Sequence, residues 1–70
     1  MGVSYKKLFK LLIDRNMKKK DLQQKAGLSP ATISKLGRDE YVSLEVLVKI
    51  CHALNADIGD ILEVITVESA

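Results

Sequence analysis

Seventy residues with 47% hydrophobic content and only three aromatics, Tyr5, Phe9 and Tyr41, allow one small domain with an aliphatic core. No apolar run approaches the ~18–20 residues of a membrane helix, and the single Cys51 cannot close an intramolecular disulfide. The net charge of +2 conceals a division: residues 1–38 carry ten Lys/Arg and two Asp/Glu, whereas residues 39–70 carry one Lys and seven Asp/Glu.

The N-terminus, MGVSYKKLFKLL, has two lysines before a short apolar patch that Lys10 interrupts. It is too short and too charged for a signal peptide, and with the lone cysteine it points to a cytoplasmic protein. A first helix is expected over Tyr5–Arg15, capped by Ser4. Tyr5, Leu8, Leu12 and Phe9, Leu11, Ile13 give it a broad apolar stripe at helical spacing. Asn16 and Met17 form the connection to a second helix, Lys19–Ala26. Gly27 can adopt a positive φ and close that helix. Ser29 caps a third helix, Pro30–Leu36, in which Pro30 fits the first position because no N–H is needed there. Gly37 ends or weakens it, and Arg38-Asp39-Glu40-Tyr41 reads as a polar loop. Ser43 caps a fourth helix, Leu44–Leu54, expected to bury Leu44, Leu47, Val48, Ile50, Cys51 and Leu54. Asn55 is a left-handed stop. Asp57 caps a fifth helix, Ile58–Glu63, with Ile58, Ile61 and Leu62 inward. The C-terminal tail, residues 64–70, opens with the β-branched run Val64-Ile65-Thr66-Val67, which has three options: to extend the helix, pair as a strand, or pack across a dimer.

Helices two and three, with the turn Gly27-Leu28-Ser29-Pro30, form a helix-turn-helix. Leu22, Ala26, Leu28, Ile33 and Leu36 are expected to face inward. Pro30, Ala31, Thr32, Ser34 and Lys35 are left facing out. A helix that enters a DNA major groove needs short or polar residues there, so that its backbone can approach base edges.

This layout resembles the Cro/CI-type (XRE-like) helix-turn-helix regulators of bacteria and phages, over about Tyr5–Glu63. The residues that carry the likeness are Leu22, Ala26-Gly27-Leu28-Ser29, Thr32-Ile33-Ser34-Lys35-Leu36, Ser43-Leu44-Glu45-Val46-Leu47, Ile50-Cys51-His52-Ala53-Leu54 and Asp57-Ile58-Gly59-Asp60-Ile61-Leu62. The chain also looks similar to small regulators associated with glycopeptide-resistance operons. The resemblance implies an all-α, compact five-helix (lambda-repressor-like) domain that binds double-stranded DNA. Four departures stand out. Gln23 occupies a position usually small. Lys18-Lys19 stand where Thr-Gln is common. Leu12 and Gly37 replace a frequent Arg–Glu pair. The third helix lacks the Gln or Arg often turned toward bases.

Lys35 is the leading base reader, since an ammonium can donate to guanine O6 and N7; phosphate contact or plain solvation is its alternative. Ala31 and Thr32 suit a thymine methyl, and Thr32 or Ser34 can hydrogen-bond a base or a phosphate. Local capping and surface polarity are the plainer roles of those two hydroxyls. Lys18, Lys19, Lys20, Ser29 and Arg38 flank the third helix and are expected on phosphates, aided by free N–H groups at the start of the second helix. Cys51 and His52 diverge on their helix and have no other Cys or His to join, so no metal or cofactor is expected. Ser29 and Ser34 have no base partner, and nothing points to an enzyme.

A homodimer is expected through the acidic, apolar C-terminal region: the fifth helix with Val64, Ile65 and Val67. The competing function is an antitoxin-like or protein-interaction module on the same fold, holding a protein partner through its acidic face.

Overall fold

The computed structural model describes residues 2–66. Strand β1 (Gly2–Ser4) leads into α1 (Lys6–Asp14), α2 (Lys19–Ala26), α3 (Pro30–Gly37), α4 (Leu44–Leu54), α5 (Ile58–Ile61) and strand β2 (Glu63–Ile65). Helix α1 packs on α5, α2 on α3 and α4, and α4 on α5. The shared core is Tyr5, Leu8, Leu12, Leu22, Leu28, Leu36, Leu47, Ile50, Leu54 and Ile61. It is almost wholly aliphatic, as the composition requires. Tyr5 supplies the one buried ring, which makes its hydroxyl a group that needs a partner.

The four longer helices share one ending. Asn16, Gly27, Asp39 and Asn55 follow α1, α2, α3 and α4 with φ of 55°, 68°, 56° and 51°. In each case the next residue's N–H bonds back into the last turn: Met17 to Leu12, Leu28 to Gln23, Glu40 to Lys35 and Ala56 to Cys51, at 2.8–2.9 Å. This is the Schellman arrangement, which satisfies carbonyls that a helix end leaves unpaired. Gly tolerates the left-handed region best, and the short polar side chains of Asn and Asp tolerate it next best. The helix starts are equally local. Ser29 Oγ accepts from Thr32 N–H and Ser43 Oγ from Val46 N–H, each at 3.2 Å; Asp57 Oδ1 accepts from Ile58 N–H at 3.3 Å.

Several expectations are corrected. The first helix begins at Lys6 with Tyr5 in the capping position, because Ser4 belongs to β1. Ser4 Oγ still accepts the Lys6 N–H, at 3.3 Å. Helix α3 keeps Gly37 and stops one residue later than expected. Helix α5 ends at Ile61, and Leu62 turns extended. The tail takes the strand option: Glu63, Val64 and Ile65 pair antiparallel with Ser4, Val3 and Gly2. β-Branched residues favour this conformation, and β1 supplies the partner. Val67, part of the expected dimer contact, lies outside the described residues.

On α4, Leu44 and Val48 were expected inside but are 68% and 55% exposed. Leu47, Ile50 and Leu54 already fill the stripe that faces the core, and positions 44 and 48 lie on another side of the helix. On α1, Ile13 is likewise exposed while Tyr5, Leu8 and Leu12 are buried.

Candidate nucleic-acid interface

The turn between α2 and α3 sets the geometry of the outer face. Left-handed Gly27 ends α2, and Leu28 drops into the core. Ser29, extended, starts α3 with Pro30 in its first turn. Burial of Leu36 and partial burial of Ile33 fix the rotation of α3. Ala31, Ser34 and Lys35 then share the exposed side at helical spacing. Thr32 is half-buried, and its hydroxyl lies 3.0 Å from Ser29 Oγ. Of the expected base readers, three stand together in the open and the fourth is partly engaged in the cap.

The cations expected to flank α3 stand in different states. Lys18 and Lys20 are exposed at the start of α2. Asp21 Oδ2 accepts the Lys18 N–H at 2.8 Å, so one of the donors expected to meet a phosphate is already taken. Lys19, itself exposed, lies over α1: its Nζ is 5.1 Å from the Phe9 ring centroid. The same Nζ is 3.6 Å from where a Cβ on Gly37 would stand, which places it beside the last turn of α3. Arg38 Nε donates to Glu40 Oε2 across an exposed ion pair. Neither engagement is strong. An exposed cation–π contact contributes about 0.5–1 kcal/mol and a surface ion pair about 0–1 kcal/mol. Both side chains can therefore exchange these partners for a stronger anion.

The residues that sequence reasoning missed are Tyr5 and Asp39. The Tyr5 N–H donates to Asp39 Oδ1 at 2.9 Å, and the Tyr5 hydroxyl donates to the Glu40 carbonyl oxygen at 2.7 Å. Burial pushes the Tyr5 phenol above its ordinary value, so it remains a donor at neutral pH. An available signal was Asp39 itself, a residue type that tolerates a left-handed backbone after a helix.

The remaining long-range polar contacts tie the scaffold together on other sides. The Arg15 guanidinium caps the C-terminus of α4 through the Leu54 carbonyl, and Lys7 Nζ reaches the Gly59 carbonyl at 3.3 Å. Cys51 is half-buried, and burial, followed by the Asp57 and Asp60 carboxylates, pushes its thiol up, so it stays protonated at neutral pH. Among the described residues no cluster of His, Cys, Asp and Glu could hold a metal ion, and no helix is long and apolar enough to cross a membrane.

The chain resembles known proteins in sequence and in shape. Residues 7–66 match the model of the Cro/C1-type HTH DNA-binding domain. A crystal structure of transcriptional regulator VanUg (form II) superposes with a TM-score of 0.86 at 58% sequence identity, covering 89% of this chain and 83% of that one. No curated relative matches. The match spans α1 to β2 and includes the turn whose geometry is set out above, and the chain belongs to the Cro/C1-type helix-turn-helix DNA-binding family.

Proposed function

We propose that the chain is a sequence-specific, double-stranded DNA-binding transcriptional regulator of the cytoplasm that reads the major groove with α3. The observation that carries this reading is the two-sidedness of α3: Leu36 is anchored in the core, while Ala31, Ser34 and Lys35 form an exposed face with no bulky residue ahead of Lys35. Such a face lets the helix backbone approach base edges. In this reading Lys35 donates to guanine, Ala31 and the Thr32 methyl meet thymine, and Ser34 bonds a base or an adjacent phosphate. The VanUg neighbour, named a transcriptional regulator, supports the same role.

Lys18, Lys19, Lys20, Ser29 and Arg38 hold the flanking phosphates. They lie on both sides of α3 in sequence, at the start of α2, at the cap of α3 and just beyond its end. Lys19 leaves Phe9 and Arg38 leaves Glu40 to do so. The chain acts as a homodimer through its C-terminal region, which doubles the readout of a short-chained α3.

Binding-site selection with Lys35→Ala tests the readout. Discrimination is expected to relax by about 1–3 kcal/mol at one base pair, with the rest of the preferred sequence retained. An unchanged sequence preference for Lys35→Ala and for Thr32→Ala would remove α3 from base reading. The phosphate contacts predict a different pattern. Lys20→Ala and Arg38→Ala should weaken binding to all duplexes alike, each flattening the dependence of log K on log salt by about 0.9. A loss confined to one base pair contradicts that role.

A further inference from the structure

The loop after α3 is held from the far end of the chain. Residues Arg38 to Tyr41 are all exposed, so the loop has little apolar contact of its own. Tyr5, 1% exposed, bonds it twice: its N–H to Asp39 Oδ1 at 2.9 Å and its hydroxyl to the Glu40 carbonyl at 2.7 Å. Arg38 opens this loop, and in the unbound chain its guanidinium pairs with Glu40. Ser4, next to Tyr5, is paired with Glu63 in the strand ladder, so the joined chain ends set where Tyr5 stands.

We propose that Tyr5 is a positioning residue of the DNA interface: it fixes the Asp39–Glu40 loop and thereby the placement of Arg38 beside the outer face of α3. The inference rests on reading Arg38 as a phosphate contact. A buried ring and the backbone that carries it cannot drift without opening the core, so the hydroxyl and N–H bonds transmit core rigidity to an exposed loop. Without them the loop samples more conformations, and ordering it falls to the moment of binding.

The test uses the full chain and a duplex carrying its selected site. Tyr5→Phe keeps the ring and removes one donor. Affinity should fall about three- to tenfold, the scale of one net hydrogen bond. The salt slope should fall toward that of Arg38→Ala. The double variant Tyr5→Phe/Arg38→Ala should bind no more weakly than Arg38→Ala alone, because both changes remove the same contact. Wild-type affinity in Tyr5→Phe, or losses that add in the double variant, overturns the inference. Wild-type affinity in Arg38→Ala overturns the phosphate reading first and the inference with it. If Tyr5→Phe folds poorly, Asp39 carries the test. Asp39→Asn keeps an acceptor and the left-handed backbone and should bind as wild type. Asp39→Gly keeps only the backbone and should show the loss. Equal binding by the two Asp39 variants overturns the inference.

Discussion

Leu36→Ala is expected to lower the free energy of unfolding by about 2–5 kcal/mol, measured by urea or guanidinium denaturation. Leu36 is fully buried where α3 meets the rest of the core, and truncation leaves a cavity there. Domains of this size are stable by only about 5–15 kcal/mol, so the variant should sit close to the edge of folding. Ile33, one turn earlier on the same helix, is only half-buried. Its truncation should cost less, because fewer contacts are lost and solvent already reaches part of the side chain. Equal midpoints for Leu36→Ala and wild type would mean that α3 is rotated from the orientation described, and the assignment of its outer face would fall with it.

That orientation was legible in the sequence for a physical reason. The turn uses residues whose backbone preferences are strong and local: Gly27 for the left-handed region, Ser29 for the cap, Pro30 for the first helical position. The bounds of α2 and α4 follow from the same kind of signal. Where the outcome depends on a distant partner, the sequence was silent. A serine before a helix is a good cap, but β2 pairs with Ser4 from far along the chain and claims it as strand. Asp39 was read as one polar residue of a loop, although it closes α3 and accepts from Tyr5, 34 residues away. Leu44 and Val48 are apolar at helical spacing, which is a cue for burial. Only packing shows that Leu47, Ile50 and Leu54 have already taken the core.

The same limits apply to the interface. Burial of Leu36 leaves Ala31, Ser34 and Lys35 outside, as periodicity required. The state of the cations did not follow from position. Phe9 lies ten residues before Lys19, Gly37 lies eighteen after it, and their meeting at its ammonium is a product of the fold. Leu12 joins the core, and Lys19 lies beside Gly37.

Val64→Glu is expected to reduce binding to a two-half-site palindrome by about 100-fold while leaving binding to a single half-site nearly unchanged, as read by titration of the two duplexes. Val64 is 68% exposed on β2, so a charge there meets solvent in the monomer and need not unfold it. Ile65, beside it, is 38% exposed. This strand belongs to the half of the chain rich in acids, which disfavours contact with phosphates and leaves the strand free for a second copy. In a two-fold contact through this strand an added Glu enters an interface with an equally acidic copy, and the like charges repel. The magnitude follows from avidity: two linked half-site contacts gain about 10²–10⁴ over one. Truncating the tail is a poorer experiment, because losing Val64 and Ile65 also strips β1 of its partner and frees the segment that holds Tyr5. The control is Leu44→Glu, placed on another exposed apolar face, that of Leu44 and Val48 on α4. If Leu44→Glu abolishes the cooperative gain and Val64→Glu does not, the two-fold contact runs through α4 and the strand only closes the fold. If neither variant changes binding to the palindrome, neither face carries a two-fold contact, and the dimer through the C-terminal region is overturned.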